Sequence, residues 1–130
     1  MHILIADDDP TSREILAGIC KKDPGHHITQ VESGQEAWAL LDDPKRWFDV
    51  VFLDVSMPNW GGLDVLKRLR ESLIHGSLDI VMCTASNDRN TITEAISLGA
   101  KHYLVKPCKP ELVQAKLKQI EEARAAAAKK

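Results

Sequence analysis

Short apolar runs alternate with helical stripes along the whole chain. His2 to Ala6 reads as a buried strand. Pro10-Thr11-Ser12 then opens a helix, with Asp9 as its N-cap and Pro10 in the first helical position. Ile15, Leu16 and Ile19 give that helix an apolar stripe, and Asp23-Pro24-Gly25 stops it. His27 to Val31 is the second strand, and Ser33 with Glu36 makes a capping box for a helix that turns Ala37, Trp38, Leu40 and Leu41 inward. Val50 to Leu53 is apolar without alternation, the pattern of a central strand covered on both faces. Leu63, Leu66, Leu69, Leu73 and Ile74 repeat at helical spacing, and Leu78 to Cys83 forms a fourth strand. Asn87 or Asp88 caps a helix carrying Ile92, Ala95, Ile96 and Leu98, which Gly99 terminates. His102 to Val105 is the fifth strand, and Pro110 to about Ala128 a last helix with Leu112, Val113, Leu117 and Ile120 inward.

Five strand–helix units with short connections imply a parallel, doubly wound α/β sheet with right-handed crossovers. The strand order 2-1-3-4-5 is favoured, because it sets strands 1 and 3 side by side at a topological switch point, where such sheets bind ligands.

The strand ends carry the chemistry. Strand 1 ends on Asp7-Asp8-Asp9, strand 3 on Asp54, strand 4 on Thr84 and strand 5 on Lys106-Pro107. On one sheet edge, Asp7, Asp8 and Asp54 repel one another unless a hard cation joins them, and Mg²⁺ (or Mn²⁺) suits carboxylate and phosphate oxygens. Asp54 is the candidate nucleophile, able to form an acyl phosphate. Lys106 supplies a point charge and Thr84 a hydroxyl to the other phosphoryl oxygens. Asp9 is better explained as a cap. Met57-Pro58-Asn59-Trp60-Gly61-Gly62 reads as a tight loop that presents a carbonyl, that of Ser56, to the cation. Trp60 is either loop packing or a fluorescent reporter of the site.

Composition narrows the class. The chain has 130 residues, 44% hydrophobic and 28% charged, with a net charge of −2. That fits one globular domain and offers no basic field for nucleic acid. No stretch approaches the roughly 20 apolar residues of a membrane span, and the first apolar run stops at Asp7, unlike a signal peptide. Three scattered cysteines (Cys20, Cys83, Cys108) and five histidines show no metal-ligand spacing, which suggests a reducing cytoplasm. His26-His27 reads as a loop-to-strand junction.

The motifs ILIADDDP (3–10), VFLDVSMP (51–58), Gly61-Gly62-Leu63, Cys83-Thr84-Ala85, Gly99-Ala100 and YLVKP (103–107) resemble the response-regulator receiver domains of two-component signalling, of the chemotaxis-regulator kind. The resemblance spans residues 1–122 and leaves 123–130 as a helix extension or the start of a linker. It implies a flavodoxin-like fold and transfer of a phosphoryl group to Asp54 from a histidine kinase or phosphotransfer protein. It also implies Asp8, Asp54 and the Ser56 carbonyl as direct Mg²⁺ ligands, with Asp7 acting through water. Thr84 and Tyr103 become a switch pair, and the peptide before Pro107 is cis. Such a domain catalyses only its own phosphorylation and dephosphorylation.

Ser56 and Ser86 occupy the positions two after Asp54 and Thr84 that in this family help set acyl-phosphate lifetime, and Cys108 stands where phenylalanine is common. Lys101-His102-Tyr103 lacks the paired acids of many dimerising receivers. The expected output surface is the fourth helix, fifth strand and last helix around Thr91, Lys101, His102 and Tyr103, facing an output protein or an output domain outside this chain. A rival reading is a phosphatase similar to the haloacid dehalogenase class, since Asp7-Asp8-Asp9-Pro10-Thr11 fits DxDxT. No later strand ends in that class's paired acids. A third reading, a phosphorylation-independent interaction domain on the same scaffold, is opposed by the presence of Asp7, Asp8, Asp54, Thr84 and Lys106 together.

Overall fold

The computed structural model describes residues 1–72, 77–84 and 89–128. The strands are β1 (His2–Ala6), β2 (His27–Val31), β3 (Val50–Asp54), β4 (Asp79–Thr84) and β5 (His102–Val105). The helices are α1 (Pro10–Cys20), α2 (Gly34–Leu41), α3 (Gly62–Glu71), α4 (Arg89–Ser97) and α5 (Pro110–Ala128). All pairings are parallel, in the order β2-β1-β3-β4-β5. The anticipated flavodoxin-like topology is therefore the observed one. Leu73, Ile74, Ala85, Ser86 and the Asn87 or Asp88 cap lie outside the described residues, as do the last two lysines.

The two-residue period of a strand sorts the core into two layers. Ile3, Ile5, Val50, Phe52, Val81, Cys83 and Leu104 face one side, where Leu16, Ile19 and Cys20 of α1 and Val113, Leu117 and Ile120 of α5 cover them. Leu4, Ala6, Val51, Leu53 and Met82 face the other, under Ala37 and Leu41 of α2, Val65, Leu66 and Leu69 of α3, and Ala95 of α4. β3 is buried along its whole length, as its unbroken apolar run requires.

Local signals place the helix starts. The Asp9 carboxylate accepts from the Thr11 amide at 3.1 Å and from the Ser12 hydroxyl at 2.9 Å. The Ser33 hydroxyl accepts from the Glu36 amide at 3.1 Å and donates to the Glu36 carboxylate at 3.4 Å. Gly99 ends the α4 region at φ +102°, a conformation that favours glycine.

Three residues read into the apolar helix patterns, one of them as inward, need correction. Ile15, Ile96 and Leu112 are 56%, 57% and 53% exposed. Each sits one residue before or after the stripe that packs: Leu16-Ala17 in α1, Ala95 in α4 and Val113 in α5. One step along a helix turns a side chain by roughly 100°, enough to move it from core to rim. The late turns of α5 are also anchored. Arg124 donates to Asp49 Oδ1 at 2.9 Å, Asp79 Oδ2 at 2.8 Å and the Ser77 carbonyl at 2.7 Å. These bonds dock the late turns of α5 on the amino-terminal edge of β3 and β4.

Gly62, at the start of α3, lies against the end of β3. A Cβ there would stand 2.6 Å from the Asp54 carbonyl oxygen and 2.9 Å from Met82 Cε. Gly62→Ala is expected to lower unfolding free energy by about 1–3 kcal/mol through this overpacking. Urea denaturation measures it, and an unchanged midpoint would show that the turn yields without cost.

Candidate functional site

Strand period and register together assemble the site. Asp7 continues the alternation of Ile3 and Ile5, Asp54 that of Val50 and Phe52, and Lys106 that of Leu104, so all three emerge on the α1/α5 side of the sheet. Parallel pairing brings their strand ends to one edge. The Lys106 ammonium donates to Asp7 Oδ2 at 2.8 Å and to Asp54 Oδ2 at 3.1 Å. The remaining oxygens are held by backbone: the Asp9 amide donates to Asp7 Oδ1 at 2.9 Å, and the Ser56 amide to Asp54 Oδ1 at 3.2 Å. Arg13 donates to the Asp7 carbonyl at 2.9 Å.

Asp7 and Asp54 are buried, at 3% and 5% exposure, whereas Asp8 is exposed. Burial pushes the Asp54 carboxyl up to about 6; Lys106 opposes that rise and the Asp7 charge adds to it. Burial by itself would lower Lys106, but its hydrogen bonds to Asp7 and Asp54 and their charges hold it above the ordinary lysine range. One carboxylate oxygen from each of Asp7, Asp8 and Asp54 lies within 4.8 Å of the others. An all-oxygen donor set with two buried acids fits a hard divalent cation such as Mg²⁺.

Thr84 and Tyr103 belong to the opposite layer. Thr84 is buried, Tyr103 is 47% exposed, and both line a small cavity with Thr91, Ala95 and His102. Burial lowers the His102 pKa, and its Nδ1 has no hydrogen-bond partner among the described residues. Ser56 is exposed at the head of the loop. Trp60 is packed, with the Arg68 guanidinium 4.1 Å above its ring and its own backbone against Gly34. Asp9 spends its carboxylate on the α1 cap, which removes the second aspartate of the DxDxT reading from the cluster. The Lys106–Pro107 peptide is cis.

Two groupings escaped the sequence. Asp23, His26 and Glu121 meet at the other end of the sheet, His26 Nε2 lying 3.5 Å from Asp23 and 3.1 Å from Glu121. Cys83 and Cys108 line one cavity beside Asp54 and Lys106. Neither has a spacing signal, because each joins residues from elements distant in the chain.

The sequence profile of the response regulator receiver domain matches residues 3–118. Chemotaxis protein CheY1 of Helicobacter pylori is 30% identical over 123 residues, covering 92% of this chain and 96% of the relative. The 3',5'-cyclic-nucleotide phosphodiesterase regA of Dictyostelium discoideum is also 30% identical, over 90% of this chain but only 15% of its own length. The structure of chemotaxis response regulator CheY4 of Vibrio cholerae superposes with a TM-score of 0.81 at 28% identity, covering 92% of this chain and 97% of that one. The matched profile defines a signalling receiver domain. This chain belongs to the response-regulator receiver family, and it is a CheY-like receiver of two-component signalling. Among the described residues no helix is long and apolar enough to cross a membrane.

The raised Asp54 value has a consequence for stability. Between the unfolded carboxyl near about 3.9 and the folded one at about 6, the folded chain holds a proton that the unfolded chain has released. The contribution of Asp54 to stability therefore falls as pH rises through that window. In chelator, Asp54→Asn is expected to exceed wild type in stability by on the order of 1–2 kcal/mol near pH 7.5, with the gap closing toward pH 4. Denaturation at both pH values measures this, and a pH-independent gap would refute the burial of a repelled charge.

Proposed function

We propose that this chain is a phosphorylation-dependent switch in which Asp54 accepts a phosphoryl group from a phosphohistidine donor on a histidine kinase or phosphotransfer protein. The observation that carries this reading is the buried Asp54 carboxylate, gripped by Lys106 and the Ser56 amide beside Asp7 and Asp8. Asp54 oxygen attacks phosphorus, a P–O bond forms, the P–N bond to the donor imidazole breaks, and that imidazole leaves with its electron pair. Lys106 moves its charge from carboxylate to a phosphoryl oxygen, and Thr84 offers its hydroxyl to another from the far face. Asp7, Asp8, Asp54 and the Ser56 carbonyl would hold Mg²⁺ or Mn²⁺, which supplies charge neutralisation between carboxylate and phosphoryl oxygens. The chain acts only on its own phosphoryl group. We place the receiver unit at 1–122, with 123–130 as an extension of its last helix or the start of a linker.

For output, we place the responding surface on α4, β5 and α5, around Thr91, Lys101, His102 and Tyr103. Phosphorylation favours one arrangement of this surface, and an output partner selects it. Exposed Tyr103 beside the cavity behind Thr84 supports that location.

Intact mass after incubation with acetyl phosphate and Mg²⁺ is expected to show one labile phosphoryl group on wild type. Asp54→Asn, or chelation of the metal, should abolish it. Equal gain in wild type and Asp54→Asn would remove Asp54 as acceptor. Tyr103→Ala should leave Asp54 phosphorylation intact but weaken phosphorylation-dependent partner binding about tenfold, the scale of a truncated aromatic anchor. Unaltered binding and phosphorylation dependence, measured by calorimetry with the partner, would move the output surface elsewhere.

A further inference from the structure

At the amino-terminal edge of the sheet, opposite the acid–lysine cluster, three metal-ligating side chains converge that phosphoryl transfer does not use. Asp23 and His26 lie in the connection from α1 to β2, and Glu121 lies on α5. The His26 side chain is 3% exposed, and its Nε2 lies 3.1 Å from Glu121 Oε1 and 3.5 Å from Asp23 Oδ2. Nε2 carries at most one hydrogen, so by donation it satisfies only one of the two carboxylates. Its Nδ1 faces the other way, 3.0 Å from the Met1 nitrogen, which also donates to the Gly25 carbonyl at 3.2 Å. Backbone contacts hold the turn: Asp23 Oδ1 accepts from the Gly25 amide at 2.8 Å, and the His26 amide donates to the Asp23 carbonyl at 3.1 Å. The ring is thus fixed with one nitrogen aimed at two acids. Both acids are about half exposed, along a cleft of about 310 Å³ that opens to solvent beside them. Arg124 borders that cleft, but its guanidinium is engaged by Asp49 and Asp79.

We propose that Asp23, His26 and Glu121 form a binding site for a divalent transition-metal ion of the zinc class. Tetrahedral zinc holds nitrogen and oxygen at about 2.0–2.2 Å, which spaces its ligand atoms roughly 3.3–3.6 Å apart. The two distances from Nε2 fall at or near that edge length, and all three donor atoms lie within 4.8 Å of one another. The part-exposed carboxylates can close the remaining edge by side-chain rotation while the buried ring stays in place. The fourth position opens to the cleft and takes water. The donor set separates this site from the acid cluster at Asp54. An imidazole with two carboxylates suits Zn²⁺, whereas the all-oxygen set of Asp7, Asp8 and Asp54 suits Mg²⁺. The length of the strands, ~17 Å, stands between the two. An ion here bridges α5 to the α1–β2 connection, beside the Arg124 bonds that dock the same helix on β3 and β4. Only the folded chain brings the three donors together, so binding stabilises it by mass action.

The test titrates the full chain with Zn²⁺ by calorimetry in a background of millimolar Mg²⁺. One ion per chain is expected, with a raised melting temperature and an X-ray absorption fine structure fitted by one imidazole and oxygen ligands. Glu121→Gln, on the half-exposed rim, should keep the wild-type circular dichroism and weaken zinc binding at least about tenfold. Asp23→Asn, which keeps the oxygen that accepts from Gly25, should do the same. His27→Gln should bind as wild type does, because the His27 ring stacks on His2 at 4.8 Å. Asp54→Asn should also titrate as wild type, which separates failure here from failure of the phosphoacceptor reading. No zinc uptake by wild type, unchanged affinity in either acid variant, or uptake lost with His27→Gln or Asp54→Asn would each overturn the proposal.

Discussion

The Lys106 ammonium, wedged between Asp7 and Asp54, is the interaction on which the rest of the molecule turns. Two buried carboxylates side by side are unfavourable in a low-dielectric edge. A single cation reaching both, at 2.8 Å and 3.1 Å, makes the arrangement tenable. That cation comes from β5's end, while the acids come from β1 and β3, so the grouping exists only when all three strands are in register. The same bonds are exchangeable. A stronger hard cation or a phosphoryl oxygen can take either partner of the lysine, and the site is built from contacts that a ligand can replace.

The scaffold serves that edge economically. Strand parity sends Asp7, Asp54 and Lys106 to one layer, and Thr84 and Tyr103 to the other. The acid–lysine cluster thus faces α1 and α5, while Thr84 and Tyr103 face α4. The link between them is the end of β4, where Cys83 and Thr84 point to opposite sides of the same strand. Backbone closure at Gly61-Gly62 brings α3 against the Asp54 carbonyl and fixes the far wall of the loop.

Much of this was legible in the order of residues. Unbroken apolar runs ending on acids gave β1 and β3, and short connections gave the parallel topology; the site residues followed from which amino acids stood at strand ends. Helix starts were equally readable, because Asp9 and Ser33 act on amides two and three residues away. What stayed hidden depended on angle or on distance in the chain. Ile15, Ile96 and Leu112 are apolar residues on helices, and only packing tells which side of the stripe they fall on. The Arg124 clamp and the Asp23-His26-Glu121 group join segments whose proximity no local pattern encodes. The asymmetry between buried Asp7 and exposed Asp8 is likewise a product of the turn into α1.

The burial of β3 from Val50 to Asp54 sets a limit on tempo. A strand paired on both edges and covered on both faces opens to solvent only through the largest-scale unfolding events, the slowest class of backbone hydrogen exchange. β5, paired on one edge, has no such protection. The proposed acceptor carboxylate of Asp54 thus stands on the most persistent part of the backbone, and Tyr103, proposed to respond, on one of its least persistent strands. On the proposed reading, a signal received at a fixed post is expressed as motion elsewhere, without the receiving group itself losing its place between exchanges.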